Sequence, residues 1–117
     1  MERRSHPRIE VTHPVLYSSD SLPRPKVAST LDLSMGGARI ETRYDLIEGE
    51  RLGISIAIDS KVIKCRGHVV HAECPIGDRL KAGVQFEELL KEDGLYLGEY
   101  ISFVIDQRDH TSPSLDG

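Results

Sequence analysis

The stretch RLGISIAIDSKVIKCRGHVVHAE, residues 51–73, alternates apolar with polar side chains on both sides of one short polar break. Leu52, Ile54, Ile56 and Ile58 fall at every second position, which is the period of a strand with one buried face and not that of a helix. Asp59-Ser60 predicts a tight turn into a long strand from about Lys61 to Glu73. The same period spreads outward from this hairpin. Ile9, Val11, Val15 and Tyr17 share one face of a first strand, and SSDSLPRP (18–25) is a Ser/Pro-rich connection. Val27, Leu31 and Leu33 are expected to point inward, which puts Asp32 and Ser34 together on the opposite face. Gly36-Gly37 breaks that run, and Ala38 and Ile40 begin another. Beyond the CPIGD turn (74–78), Leu80, Ala82, Val84 and Phe86 form the last strand.

The period then changes. Leu97, Tyr100, Ile101, Val104 and Ile105 recur at helical spacing, predicting one amphipathic helix over about 92–107. Gly94 and Gly98 each cost that helix up to about 1 kcal/mol, so packing on the strands must hold it. Their GxxxG spacing is also one that brings two helices close. The expected fold is mostly β: a six-stranded antiparallel barrel with one C-terminal α-helix, since closure removes exposed strand edges. The expected organisation is a flexible N-terminal segment over 1–8, the barrel and helix over 9–107, and a disordered tail over 108–117.

Composition narrows the function. The 117 residues carry a net charge of −4, with 5% aromatic residues and no Trp. That balance speaks against a general nucleic-acid binder and is thin for base-stacking platforms. No apolar run approaches the roughly 18 residues of a membrane helix, so neither membrane insertion nor a signal segment is expected. Cys65 and Cys74 make no CxxC pair, and they read as reduced thiols of a cytoplasmic protein, with a disulfide as the alternative. Cys65 suits a small core position. The five histidines show no metal-binding spacing. GxSxG, P-loop and dinucleotide-binding glycine patterns are missing, so the chain is not expected to be an enzyme and no cofactor or metal is expected.

Charge is unevenly placed, however. Arg3, Arg4 and Arg8 stand within the first eight residues, beside a single Glu. Three untitratable cations so close together either remain solvated or meet an anion. The second informative stretch is TLDLSMGGARIE (30–41). An Asp carboxylate accepts from two neighbouring N–H groups, as on a guanine edge, and Ser34 offers a small donor or acceptor beside it. Gly36 and Gly37 permit positive φ and a close backbone approach. The plainer reading of the same residues is a polar strand face followed by a β-turn.

Arg4 and Arg8 form RxxxR, and Asp32, Ser34 and Gly37 form DxSxxG downstream. With both motifs in order on a barrel-plus-helix pattern, the chain resembles the PilZ domain family of bacterial cyclic di-GMP receptors over roughly residues 2–107. GVQFEEL (83–89) is similar to the family's closing strand. The resemblance implies that Arg4 and Arg8 hold phosphate and guanine, that Asp32 and Ser34 read the base edge, and that Gly37 lets the backbone come close. A basic residue at Arg3, just before RxxxR, resembles family members that hold two intercalated ligand molecules. His71 corresponds to an aromatic that some members set against a guanine, while Arg39 is expected near the same side and Arg43 and Arg66 as solvated charges. The implied function is a receptor that closes its arginine segment over cyclic di-GMP and signals to a downstream protein in motility, exopolysaccharide or transcription machinery. The alternative is a degenerate PilZ-type interaction adaptor that does not bind the nucleotide.

Overall fold

The computed structural model describes residues 6–20 and 24–110. Six strands, β1 (Pro14–Ser19), β2 (Lys26–Leu33), β3 (Gly37–Thr42), β4 (Arg51–Ile58), β5 (Lys61–Ala72) and β6 (Leu80–Leu89), precede one helix, α1 (Lys91–His110). The strands close into an antiparallel barrel in the order β1-β2-β3-β6-β5-β4. The β4–β5 hairpin runs from Ile58↔Lys61 at its turn to Arg51↔His68 at its open end. Asp59 makes that turn with φ 55°, a conformation Asp tolerates better than most residues. Leu52, Ile54, Ile56 and Ile58 all face the interior with Ile63, Cys65 and Val69, and each large side chain contributes roughly 1.5–3 kcal/mol on burial.

Two strands depart from what the alternation predicts. β1 begins at Pro14, and of the earlier residues Ile9 makes only an isolated bridge to Leu33. Residues 10–13 instead run toward α1. Thr30 holds them: its hydroxyl donates to the Val11 carbonyl and accepts from the His13 amide. In β2 the expected inward set holds for Leu33 and fails for Val27 and Leu31. Val27 is 62% exposed and Leu31 is half-buried, whereas Ala28, Thr30, Asp32 and Leu33 are buried. The cause is a bulge between Thr30 and Asp32 against β3, which re-aims the side chains beyond it.

The roles expected of the paired glycines also need correcting. Neither Gly36 nor Gly37 has positive φ; among the described residues that conformation belongs to Asp59, Gly49 and Gly77. The constraint on Gly37 is steric, because a Cβ there would lie 2.2 Å from the Val84 carbonyl oxygen. A Cβ at Gly67 would likewise lie 2.3 Å from the Gln85 carbonyl oxygen. β6 therefore passes very close to both its neighbours at residues 84–86, and side chains are omitted on each flank.

The helix continues past residue 107 to His110, so 108–110, expected in the tail, belong to it; residues 111–117 lie outside the described set. Leu97 and Ile101 bury their side chains against the barrel. Asp93, only 5% exposed, accepts from the Lys64 amide at 3.0 Å and pairs with Lys61 at 3.3 Å. The Lys64 N–H first, then Lys61, hold this carboxyl below its usual value against the opposing effect of burial. Gly94 and Gly98 do not present a bare face to another helix. They receive Leu89 and Met35 of the same chain, each about 3.6 Å from where a Cβ would sit.

The other end of α1 clamps the segment before β1. His13 Nε2 lies 2.7 Å from the Tyr100 hydroxyl, and Arg108 donates to the Glu10 carbonyl at 2.7 Å. Burial lowers the His13 pKa from 6.5, partly offset by Asp59. A histidine depressed in the folded state takes up its proton more readily when unfolded, so its contribution is full above pH 6.5 and fades as pH falls through the folded value. The melting temperature is therefore expected to drop between pH 7.5 and pH 5 more in the native chain than in His13→Gln, which keeps a hydrogen-bonding group that does not titrate. Parallel melting curves over that range would contradict this role.

Both cysteines are free thiols, with Cys65 buried and Cys74 exposed. Burial, with a smaller effect of Asp93, pushes the Cys65 thiol up to about 12, which keeps it protonated and unreactive at neutral pH. A thiol reagent is expected to label one cysteine quickly in the folded protein and both in denaturant. Rapid labelling of two thiols without denaturant would contradict this packing.

Candidate functional site

The DLSMGGAR stretch forms the β2–β3 turn at one end of the barrel. The Ser34 amide donates to the Gly37 carbonyl at 2.8 Å. The Ser34 hydroxyl accepts from the amides of Gly36 and Gly37 at 3.2 Å each. Ser34 thus caps the turn, as its plainer sequence reading held. The Gly36 carbonyl accepts from the Phe86 amide at 2.9 Å, tying the turn to β6. Beside it opens a cleft of about 920 Å³ lined by His6, Arg8, Asp32, Ser34, Met35, Gly36, Gly37, Ala38, Arg39, Val70, Gly83, Val84, Gln85 and Phe86.

Asp32 is the electrostatic centre of this cleft. Its side chain is 9% exposed, and the carboxylate accepts from the Arg39 amide at 3.3 Å. Arg8 lies 3.6 Å and Arg39 3.7 Å from its two oxygens. At those separations the guanidinium groups are held by charge and not by hydrogen bonds. Arg39 reaches onward to Glu73 at 3.1 Å. Arg8 remains 53% exposed at the mouth. It stands one residue before Ile9, whose amide and carbonyl both bond to Leu33, at 2.9 and 2.8 Å. That double hydrogen bond fixes the point from which Arg8 reaches the cleft.

Of the residues singled out from the sequence, Arg8, Asp32, Ser34, Gly36 and Gly37 all line this one cavity. Arg3 and Arg4 lie outside the described residues. His71 is not part of the lining. It is 64% exposed and its Nδ1 is 3.6 Å from Glu48, across the β4 side of β5. A bulge between Val69 and His71 turns Val70 into the cleft in its place. Arg66 is exposed and pairs with Asp20 at 2.7 Å, and Arg43 pairs with Asp78 at 3.7 Å.

Sequence reasoning missed His6, Met35, Val70, Gln85 and Phe86 as lining residues. His6 had a signal, since it falls between the two arginines of RxxxR and packs against Gly36, where a Cβ would come 3.1 Å from its ring. Gln85 and Phe86 had none, because they reach the cleft only through the β3–β6 register that pairs Gly37 with Gln85.

A sequence model of the PilZ domain matches residues 2–103. The chain belongs to the PilZ domain family. No curated protein matches the chain in sequence. Solved structures of similar fold include the Bacillus subtilis inhibitor of motility MotI/DgrA, with TM-score 0.78 and 18% identity over 92% of this chain and 54% of that one. The PilZ domain of YcgR from Escherichia coli, solved with c-di-GMP, is similar at TM-score 0.74 and 14% identity, over 97% of this chain and all of that one. The MrkH–c-di-GMP complex of K. pneumonia gives 0.72 and 14%, over 96% of this chain and 57% of the other. The chain thus spans about half the length of MotI/DgrA and MrkH. Among the described residues of this PilZ domain, no helix is long and apolar enough to cross a membrane.

Proposed function

We propose that this PilZ domain is a cytoplasmic, non-catalytic receptor for cyclic di-GMP that closes its arginine segment over the ligand and signals to a partner protein. The observation that carries the reading is the Arg8–Asp32 pair, set 3.6 Å apart at the mouth of a cleft of about 920 Å³. The cleft's size suits a dinucleotide, at the upper end of ordinary ligand pockets. The pair's chemistry suits one too. Guanidinium forks match phosphate oxygens and the guanine O6/N7 edge, and a buried carboxylate accepts from guanine N–H groups. That YcgR and MrkH were solved with c-di-GMP supports the same ligand here.

Arg4 completes RxxxR with Arg8, and Arg3 supplies a further cation. Two intercalated ligand molecules, with four phosphates and four guanines, give that third arginine an anion to neutralise, so a ligand dimer is favoured. Ser34 acts by holding the turn that carries Gly36 and Gly37, and His71 takes part only if ligand binding draws it away from Glu48.

The reading is tested by displacement. A fluorescent cyclic di-GMP should bind the full chain and be displaced by unlabelled cyclic di-GMP, but not by GTP, cyclic di-AMP or single-stranded RNA at the same concentration. Equal displacement by RNA, weakening steeply with salt, would instead indicate a nonspecific polyanion surface.

A further inference from the structure

Arg39 lines the cleft with a side chain to which the proposed function gives no task, and three strands fix its place. β6 runs between β3 and β5 in the barrel. Arg39 on β3 pairs with Gly83 on β6, and Gly83 pairs in turn with His71 on β5, two residues before Glu73. Adjacent strands lie about 4.8 Å apart, so an arginine of β3 meets a carboxylate at the end of β5 only by crossing β6. Gly83 leaves that path open, because it has no side chain to stand in it. The crossing is completed: Arg39 Nη2 lies 3.1 Å from Glu73 Oε2, within hydrogen-bond distance.

The same guanidinium stops short of its other carboxylate. Nη1 is 3.7 Å from Asp32 Oδ2, whereas a charge-assisted bond between such groups closes to about 2.7–2.9 Å. Glu73 is therefore the anchor, and Arg39 leaves Asp32 Oδ2 unbonded in a side chain only 9% exposed. An acceptor and a forked donor held side by side are the complement of one guanine edge. There N1–H and the N2 amino group donate, while O6 and N7 beside them accept; adenine presents an amino group where guanine has O6. We propose that Arg39 reads O6 and N7 of the guanine seated on Asp32, and that Glu73 is a positioning residue that holds Arg39 off that carboxylate. Released from Glu73, the guanidinium closes on Asp32 and takes up the oxygens that the guanine needs. The inference rests on the cyclic di-GMP reading of this cleft and adds the residues that make it specific.

The test is a fluorescence titration of the full chain with cyclic di-GMP and with its analogue in which 7-deazaguanine replaces guanine. The native chain should bind the analogue about tenfold more weakly, as loss of one hydrogen bond to a charged group does. Arg39→Met keeps an unbranched stem without the charge. It should bind cyclic di-GMP about tenfold more weakly and no longer tell the two nucleotides apart. Glu73→Ala should also weaken cyclic di-GMP, although removing a negative charge near an anion would by charge alone tighten it. Glu73→Gln, which still offers Arg39 an acceptor, should recover most of that loss. In the Arg39→Met background Glu73→Ala should change nothing further. Each variant should melt near the native chain, because a half-exposed ion pair contributes little. An Arg39→Met chain that binds normally, or that still prefers cyclic di-GMP to the analogue, would overturn this inference and leave the receptor reading standing. Tighter binding by Glu73→Ala would overturn the positioning role. No binding by the native chain would remove the receptor reading and this inference together.

Discussion

Gly37→Ala is expected to unfold the protein or to destabilise it by about 3 kcal/mol or more, the upper range for forced overpacking. The added methyl would lie 2.2 Å from the Val84 carbonyl oxygen and 3.2 Å from its carbon. Those atoms belong to β6 backbone paired with β3 in the register Ala38↔Val84 and Gly37↔Gln85. No rotamer change relieves such a contact, so the two strands must part and lose ladder hydrogen bonds at the turn that shapes the cleft. Gly36→Ala provides the comparison. Its Cβ would come 3.1 Å from the His6 ring, and a side chain near the N-terminus can shift, so little stability should be lost. Circular-dichroism melts of the two variants decide the matter. A Gly37→Ala protein that melts with the native chain would show that β6 yields easily and that the glycine is not needed for closure.

The second large effect concerns binding without folding. Arg8→Ala should leave the melting temperature almost unchanged, since an exposed ion pair contributes about 0–1 kcal/mol. It should nonetheless weaken cyclic di-GMP by about 10- to 150-fold, the equivalent of one charge-assisted contact of about 1.5–3 kcal/mol. Asp32→Ala should differ in kind. It removes the acceptor of the Arg39 amide and the counter-charge of two guanidinium groups in a nearly buried position. Both affinity and stability should fall, the latter by about 1–3 kcal/mol for the unsatisfied groups left behind. Fluorescence titration beside thermal melts separates the two variants. An Arg8→Ala protein that binds normally would remove the mouth of the cleft from the site.

What could be read in the sequence follows from how local each cause is. β4, β5 and β6 alternate without interruption over most of their length, so their inward residues could be assigned by counting in twos. β2 could not be treated in this way, because the bulge between Thr30 and Asp32 shows itself only when β3 is laid beside it. Thr30 is a polar residue at a fully buried position, satisfied by Val11 and His13, seventeen and more residues away. The true start of β1 was hidden for a related reason: Ile9 alternates correctly with Val11 but meets Leu33 in a single bridge. The motif residues Arg8, Asp32, Ser34, Gly36 and Gly37 were legible, and so was the turn that Ser34 caps. The work of Gly37 was not: it admits β6, which depends on the Val84 carbonyl that the motif does not contain. His71 was placed by the resemblance, from its position near the end of β5, and the bulge at Val69/His71 that sets Val70 in the lining could not be read there.

The central claim is that the cleft between Arg8 and Asp32 receives cyclic di-GMP, and isothermal titration calorimetry of the native full chain with that nucleotide tests it most directly. The account predicts a saturable heat with two ligand molecules per chain, absent with GTP and cyclic di-AMP. A ratio of one would keep the receptor and remove the part given to Arg3. No heat, together with a flat amide-resonance titration over the cleft residues, would contradict the account and leave the chain as an adaptor that carries the motifs without the ligand.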